Sequence, residues 1–151
     1  MENRKPNSKS KIFSNALAAA LVIIFLGYLF LTINHQSRGD IVAGKKCMFE
    51  ISALATGIES YKAKYQKYPS SIATQLWKEL SGKNPSKIVF VSFSVGRLTT
   101  NGEYLDSWGS PITIHFYSTN DYEIFSVGKD KVSGSKDDII FNSASNAFVN
   151  P

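Results

Sequence analysis

The stretch whose side chains offer chemistry reads Gly128-Lys129-Asp130-Lys131-Val132-Ser133-Gly134-Ser135-Lys136-Asp137-Asp138-Ile139. Asp130, Asp137 and Asp138 bring hard oxygen donors, and Gly128 and Gly134 let the backbone fold back so that carboxylates and carbonyls converge on one point. A hard cation suits such a set. Calcium takes about six to eight oxygens at roughly 2.3–2.6 Å, a number that the three carboxylates reach with a few backbone carbonyls and a water. The loop is not an EF-hand, because Val132 and Gly134 stand where that motif needs oxygen-bearing side chains. The same residues also suit a plain soluble turn, in which Lys129, Lys131 and Lys136 neutralise the aspartates and weaken the potential that draws a cation in.

No catalytic constellation accompanies the loop. His35 borders an apolar span, and His115 falls with Thr113 and Tyr117 on the strand face opposite Ile112, Ile114 and Phe116, without an acidic or nucleophilic partner at a recognisable spacing. Cys47 is the only cysteine, so the chain has neither an internal disulfide nor the ligands of a zinc site. Phosphate-loop and dinucleotide fingerprints are missing. The expectation is a protein that is not an enzyme. Nucleic acid is also excluded as a partner: of the net +5, +3 sits in the first twelve residues (Arg4, Lys5, Lys9 and Lys11 against Glu2), which leaves no basic stripe for a folded face.

The elements that must position the loop are short and legible. Two alternating runs, residues 112–117 and 122–127, flank the turn-forming Ser118-Thr119-Asn120-Asp121 and predict an antiparallel hairpin that delivers the chain to the loop. Asp106-Ser107-Trp108-Gly109-Ser110-Pro111 leads into it: Pro111 presets φ, Gly109 permits a reversal, and Trp108 covers the core. Upstream, residues 87–95 are dense in β-branched and aromatic side chains and predict a strand, or a strand-like segment that leads to the hairpin, followed by a polar connection with an Asn101-Gly102 turn. Residues 72–80 predict a short helix capped by Ser70 or Ser71, with Leu76, Trp77 and Leu80 inward and Gly82 ending it. Met48, Ile51, Leu54, Ala55, Ile58, Tyr61 and Tyr65 recur at helical steps over residues 45–65, and Pro69 ends that helix. Residues 142–151 read as a flexible tail.

Residues 13–33 carry no charge, and as a helix they span about 31 Å, the thickness of a bilayer's hydrocarbon core. The run is longer than the roughly 7–15 apolar residues of a cleaved signal, so a retained transmembrane anchor in the lipid bilayer is expected. The basic residues 1–12 precede it, whereas Arg38, Asp40, Lys45, Lys46 and Glu50 follow in mixed sign. This places the N-terminus in the cytoplasm and the C-terminal domain outside. Gly39 and Gly44 make residues 34–44 a juxtamembrane connection that bends or interrupts the helix.

The series Asp106-x-Trp108-Gly109-x-Pro111, Phe125-Ser126-x-Gly128-x-Asp130 and Gly134-Ser135-x-Asp137-Asp138-Ile139 closely resembles the C-terminal domain of the major pseudopilins of type II secretion systems, in the type IV pilin-like superfamily. The likeness extends upstream through Tyr61, Tyr65, Tyr68-Pro69 and Leu80-x-Gly82-x-Asn84-Pro85, and so covers residues 45–141. It implies an α+β, pilin-like fold: a transmembrane helix and a long amphipathic helix packed on a small antiparallel sheet, with a C-terminal calcium loop. Asp130, Asp137 and Asp138 have the family's aspartate spacing, and the backbone carbonyls of Val127 and Ser135 are implied as further calcium ligands. Also implied are an inner-membrane, single-pass location and partnership with other pseudopilin-like subunits or secretion-system components. The leader departs from the pattern. Ile12 stands where the family has Gly before Phe13, and Leu17 where it has Glu, so a second reading is a membrane-tethered binding domain that keeps the fold without polymerising.

Overall fold

The structure, a computed structural model, describes residues 8–94 and 96–149. Arg4 and Lys5 of the leader, Val95 and the last two residues of the expected tail lie outside the described residues, as do the side chains of Lys9, Lys11, Ile12, Phe13 and His35. Contacts divide the chain into two units, Met1–Asp40 and Ile41–Pro151.

Helix α1 spans Ser8–Tyr65. In the first unit its large apolar side chains face outward, Ile23 and Leu31 each 69 % exposed. Among the described residues this is one helix long and apolar enough to cross a membrane. Residues 34–44, expected as a connection, are helical. A glycine keeps its backbone donor and acceptor, so Gly39 and Gly44 weaken the helix by about 1 kcal/mol each without breaking the ladder.

In the second unit α1 buries Cys47, Ile51, Leu54, Ala55, Ile58 and Tyr61. The stripe is the expected one with a change at its start, where Cys47 takes the inward place and Met48 stays 39 % exposed. Helix α2, Ala73–Leu80, starts one residue later than expected. Its cap, Ile72, makes no side-chain bond, while the Ser70 hydroxyl accepts the Ile72 N–H at 3.2 Å. Leu76, Trp77 and Leu80 are buried as the spacing requires.

Four antiparallel strands follow, β1 (Thr113–Ser118), β2 (Asp121–Ser126), β3 (Ile139–Asn142) and β4 (Ala147–Val149), in the order β1-β2-β3-β4. Ile114, Phe116, Tyr122, Ile124, Phe141 and Phe148 turn to the core side, against α1 and α2. The observed class is therefore α+β, with the hairpin where the alternation put it.

Two expectations need correction. Residues 87–94 do not form a strand of this sheet. Phe90 and Val91 donate their N–H groups to the Leu80 carbonyl at the end of α2, at 2.9 and 3.1 Å, and the Phe90 ring packs edge-on to Tyr61 and Tyr65. The segment crosses α1 at Gly57, where an added Cβ would lie 2.2 Å from Val91 Cγ2 and 3.1 Å from the Phe90 carbonyl. Strand-like composition here serves helix packing instead of a ladder. The second correction concerns the tail, where Ala147–Val149 pairs with β3 and so is not frayed. Phe148 stacks edge-on to Phe141 with ring centroids 5.5 Å apart, and Ser143 ties the turn to β2 by accepting the Tyr122 N–H on its hydroxyl and donating its own N–H to the Tyr122 carbonyl.

Candidate metal centre

The aspartate loop joins β2 to β3. Its first step is forced, because Gly128 has φ +66° and a Cβ there would meet the Asp137 carbonyl oxygen at 2.3 Å and Asp137 Oδ2 at 2.7 Å. Only glycine lets the two ends of the loop come this close. Lys131 and Gly134 also take positive φ, at 61° and 86°, and turn the chain back on itself.

Asp130, Asp137, Asp138 and Ser135 are brought together. The Ser135 hydroxyl lies 2.5 Å from Asp137 Oδ1, 3.2 Å from Asp130 Oδ1 and 3.3 Å from Asp138 Oδ1. One hydroxyl has one proton to give, so three carboxylates surround a group that satisfies one of them at a time. Other oxygens hold loop amides. Asp137 Oδ2 accepts the N–H of Lys129 at 2.6 Å and of Asp130 at 3.0 Å, Asp138 Oδ2 accepts that of Gly134 at 2.7 Å, and Asp130 Oδ1 that of Val132 at 2.8 Å. The Ser135 hydroxyl, followed by the Asp130 and Lys129 amides, holds the Asp137 carboxyl down at about 2.

Among the described residues no three carboxylate, imidazole or thiol groups are placed to hold a metal ion by themselves. Asp130, Asp137 and Asp138 share one partner, the Ser135 hydroxyl, and Asp138 is buried to 5 % exposure. The Ser135 carbonyl accepts the Asp138 N–H at 3.4 Å, and Val127 sits between the last residue of β2 and Gly128.

Beneath the loop lies a support that its acidic residues alone do not reveal. Asp106 is fully buried; its Oδ1 accepts the N–H groups of Trp108 and Ser110 at 2.9 and 2.8 Å, and its Oδ2 accepts the Ser126 hydroxyl at 2.6 Å. Ser126 Oγ accepts in turn the Gly128 N–H at 3.2 Å. Cys47 of α1 borders the same group, and burial pushes its thiol up, against the opposing effect of a hydrogen bond with Ser126. The signal in the sequence was the pairing of Asp106-x-Trp108-Gly109 with Ser126-x-Gly128. His115 is exposed on β1, away from these residues in the strand register.

Comparison with known proteins gives two matches. The crystal structure of the major pseudopilin from the type 2 secretion system of enterohaemorrhagic Escherichia coli is 24 % identical, covering 71 % of this chain and 92 % of that one, with a TM-score of 0.43. Among curated proteins no relative matches the chain. The family model described as type II secretion system protein G matches residues 34–143. That span takes in the outer half of α1, α2, three strands and the whole aspartate loop, and the chain belongs to the type II secretion system protein G family.

Proposed function

We propose that this chain is a membrane-anchored, pseudopilin-like structural subunit or accessory protein of a type II secretion or type IV pilus-like system. Its outer domain is stabilised by calcium, and its role is non-catalytic. The observation that carries the reading is the family match over residues 34–143. The apolar first part of α1 supports an anchor in the inner membrane, with the basic leader in the cytoplasm and the second unit outside. Its partners are the bilayer, other pseudopilin-like subunits and secretion-system components. In the loop, Asp130, Asp137 and Asp138 would hold the calcium with the carbonyls of Val127 and Ser135. A bound divalent cation would contact all three carboxylates at once, where the Ser135 hydroxyl gives its proton to one at a time.

The test is fractionation and export in the parent cell. The chain stays with the inner membrane after alkaline extraction, protease added to spheroplasts digests the second unit, and deletion stops release of the apparatus's substrates. Normal export in the deletion strain overturns the reading.

A second reading is favoured by Ile12 and Leu17, which replace the processing and assembly residues of the resembled pattern. Here the chain is a permanently tethered binding domain. Intact mass of the protein from native membranes separates the two: loss of the first twelve residues with a methyl group on Phe13 supports a filament subunit, and an unprocessed chain supports the tether.

A further inference from the structure

Outside the leader the chain carries +2, and the sequence divides that small sum unevenly. Between residues 60 and 90 stand six lysines against one carboxylate, Glu79, whereas residues 91–151 carry a net −3. Glu79 is engaged inside the fold, where its Oε2 accepts the Tyr61 hydroxyl at 2.9 Å and the Ser70 N–H at 3.0 Å. Lys62 donates to Asn120 Oδ1 at 2.9 Å and lies over the Tyr68 ring. Lys64, Lys67, Lys78, Lys83 and Lys87 are exposed. Among the described residues the ion pair is that of Arg97 with Glu50, so no carboxylate serves any of these five.

One set of bonds gathers them. Tyr65, the last residue of α1, donates its hydroxyl to Asn84 Oδ1 at 2.8 Å and accepts the Ser86 N–H at 3.2 Å. Asn84 Nδ2 donates to the Glu79 and Ile88 carbonyls at 2.7 and 2.6 Å, and the Lys83 N–H reaches the Lys78 carbonyl at 2.8 Å. The ends of α1 and α2 and the turn between Gly82 and Ile88 therefore meet at one end of the second unit, about 36 Å along the helix from Ile41, where that unit begins. A cation in the last turn of a helix offsets its dipole, which accounts for Lys64 and Lys78. Lys67, Lys83 and Lys87 lie beyond the helices, and gathering them adds repulsion that an approaching anion relieves.

The chemistry of this end selects among anions. All five cations are Lys, and without Arg there is no planar fork for a bidentate hold on phosphate. Ile88 and Val89, 37 % and 58 % exposed, follow Lys87 and offer an apolar contact that a polypeptide uses and a phosphate backbone does not. We propose that the end of the second unit built around Tyr65 and Asn84 binds an acidic polypeptide segment, whose carboxylates lie against Lys64, Lys67, Lys78, Lys83 and Lys87. This end shares no residue with the aspartate loop, so the assignment stands independently of calcium.

The experiment is fluorescence polarisation of a labelled twelve-residue peptide, Glu and Ser alternating around one central Leu, with the full chain in zwitterionic detergent micelles. Saturable binding is expected, weakening by roughly 10-fold as salt rises from 50 to 300 mM. Lys67→Glu with Lys83→Glu weakens it by roughly 10-fold or more, with the circular dichroism unchanged, since both positions are exposed. Lys45→Glu with Lys46→Glu makes the same change of net charge at the other end of the unit and leaves binding within about twofold. Absence of saturable binding, or equal losses in the two double variants, overturns the proposal. So does tighter binding of a twelve-residue thymidine oligonucleotide, or displacement of the peptide by phosphatidylglycerol mixed into the micelles, since the occupant is then a nucleic acid or a lipid surface. Salt-sensitive self-association that the peptide displaces also overturns it, because the occupant is then a second copy of this chain.

Discussion

The Ser126 hydroxyl donates to the Asp106 carboxylate at 2.6 Å, and both residues are fully buried. Asp106 belongs to the turn that leads into the hairpin, whereas Ser126 is the last residue of β2 before the aspartate loop. Because Ser126 Oγ also accepts the Gly128 N–H, the loop inherits its starting position from a carboxylate twenty residues earlier in the chain. Among the described residues no cation pairs with this buried carboxylate, and three donors serve it instead.

Removing that carboxylate strands all three donors. Asp106→Ala is expected to destabilise the second unit by at least about 3 kcal/mol, since each buried unsatisfied donor costs roughly 1–3 kcal/mol. Asp106→Asn keeps the oxygen that serves Trp108 and Ser110 and disturbs the Ser126 bond alone, so its loss is about 1 kcal/mol. Thermal unfolding in detergent, followed by near-ultraviolet circular dichroism, orders the two variants. Equal losses would contradict the division of labour between the two oxygens.

Gly128 and Gly134 both take positive φ, but their surroundings differ. A Cβ at Gly134 meets nothing within 4 Å, while one at Gly128 runs into Asp137. Gly134→Ala is therefore expected to cost about 1–2 kcal/mol, the left-handed backbone penalty alone. Gly128→Ala adds overpacking of roughly 1–3 kcal/mol and displaces the Asp137 carboxylate from its loop amides. The comparison is read in melting temperatures of the two variants, and an equal drop would mean that the loop has room at its first step.

Side-chain periodicity made the hairpin, α2 and the buried stripe of α1 legible, since each has one apolar face and one partner. The segment 87–94 was not legible, because β-branched and aromatic residues say that a stretch is buried without saying whether a strand or a helix covers it. Its partner, Gly57 of α1, lies far from Phe90 and Val91 in sequence. The end of the chain misled for the opposite reason: Phe148 alone among small polar residues carries too little pattern, yet stacking on Phe141 and the Ser143 bonds to Tyr122 suffice to hold β4. In the site, the aspartate spacing pointed to the loop, and the convergence on Ser135 could not be read. A hydroxyl shared by three carboxylates leaves no periodic trace.

Tyr61 provides a test on the alkaline side. Burial, reinforced by the bond to Glu79, pushes its hydroxyl up to about 12 from the usual 10. The folded state holds this proton more tightly than the unfolded state. The stabilisation is therefore complete below pH 10 and is lost as pH rises towards 12. Tyr61→Phe keeps the ring contacts with Tyr65 and Phe90 and removes the titrating group. Its melting temperature is expected to fall less than that of the parent between pH 9 and pH 11.5. A parallel fall in both would place the alkaline sensitivity elsewhere.

Calcium should act on the loop through charge that Ser135 leaves uncompensated. An extracellular-type site with a dissociation constant near 10⁻⁴ M, at roughly 1 mM calcium, stabilises the fold by about 1.4 kcal/mol, which is a shift of several degrees in melting temperature relative to chelator. Asp130→Ala is expected to abolish the shift. Asp137→Asn keeps an oxygen for the Lys129 and Asp130 amides while removing a charge, so it should shrink the shift, and in chelator the melting temperature should fall only by the contribution of the lost Ser135 bond. If the parent melts identically with calcium and with chelator, the three lysines and the loop amides already balance the aspartates, and the loop is a self-contained turn. If the shift appears but survives Asp130→Ala, the ion binds elsewhere, because Asp130 is the one carboxylate of the proposed set that comes from the early half of the loop.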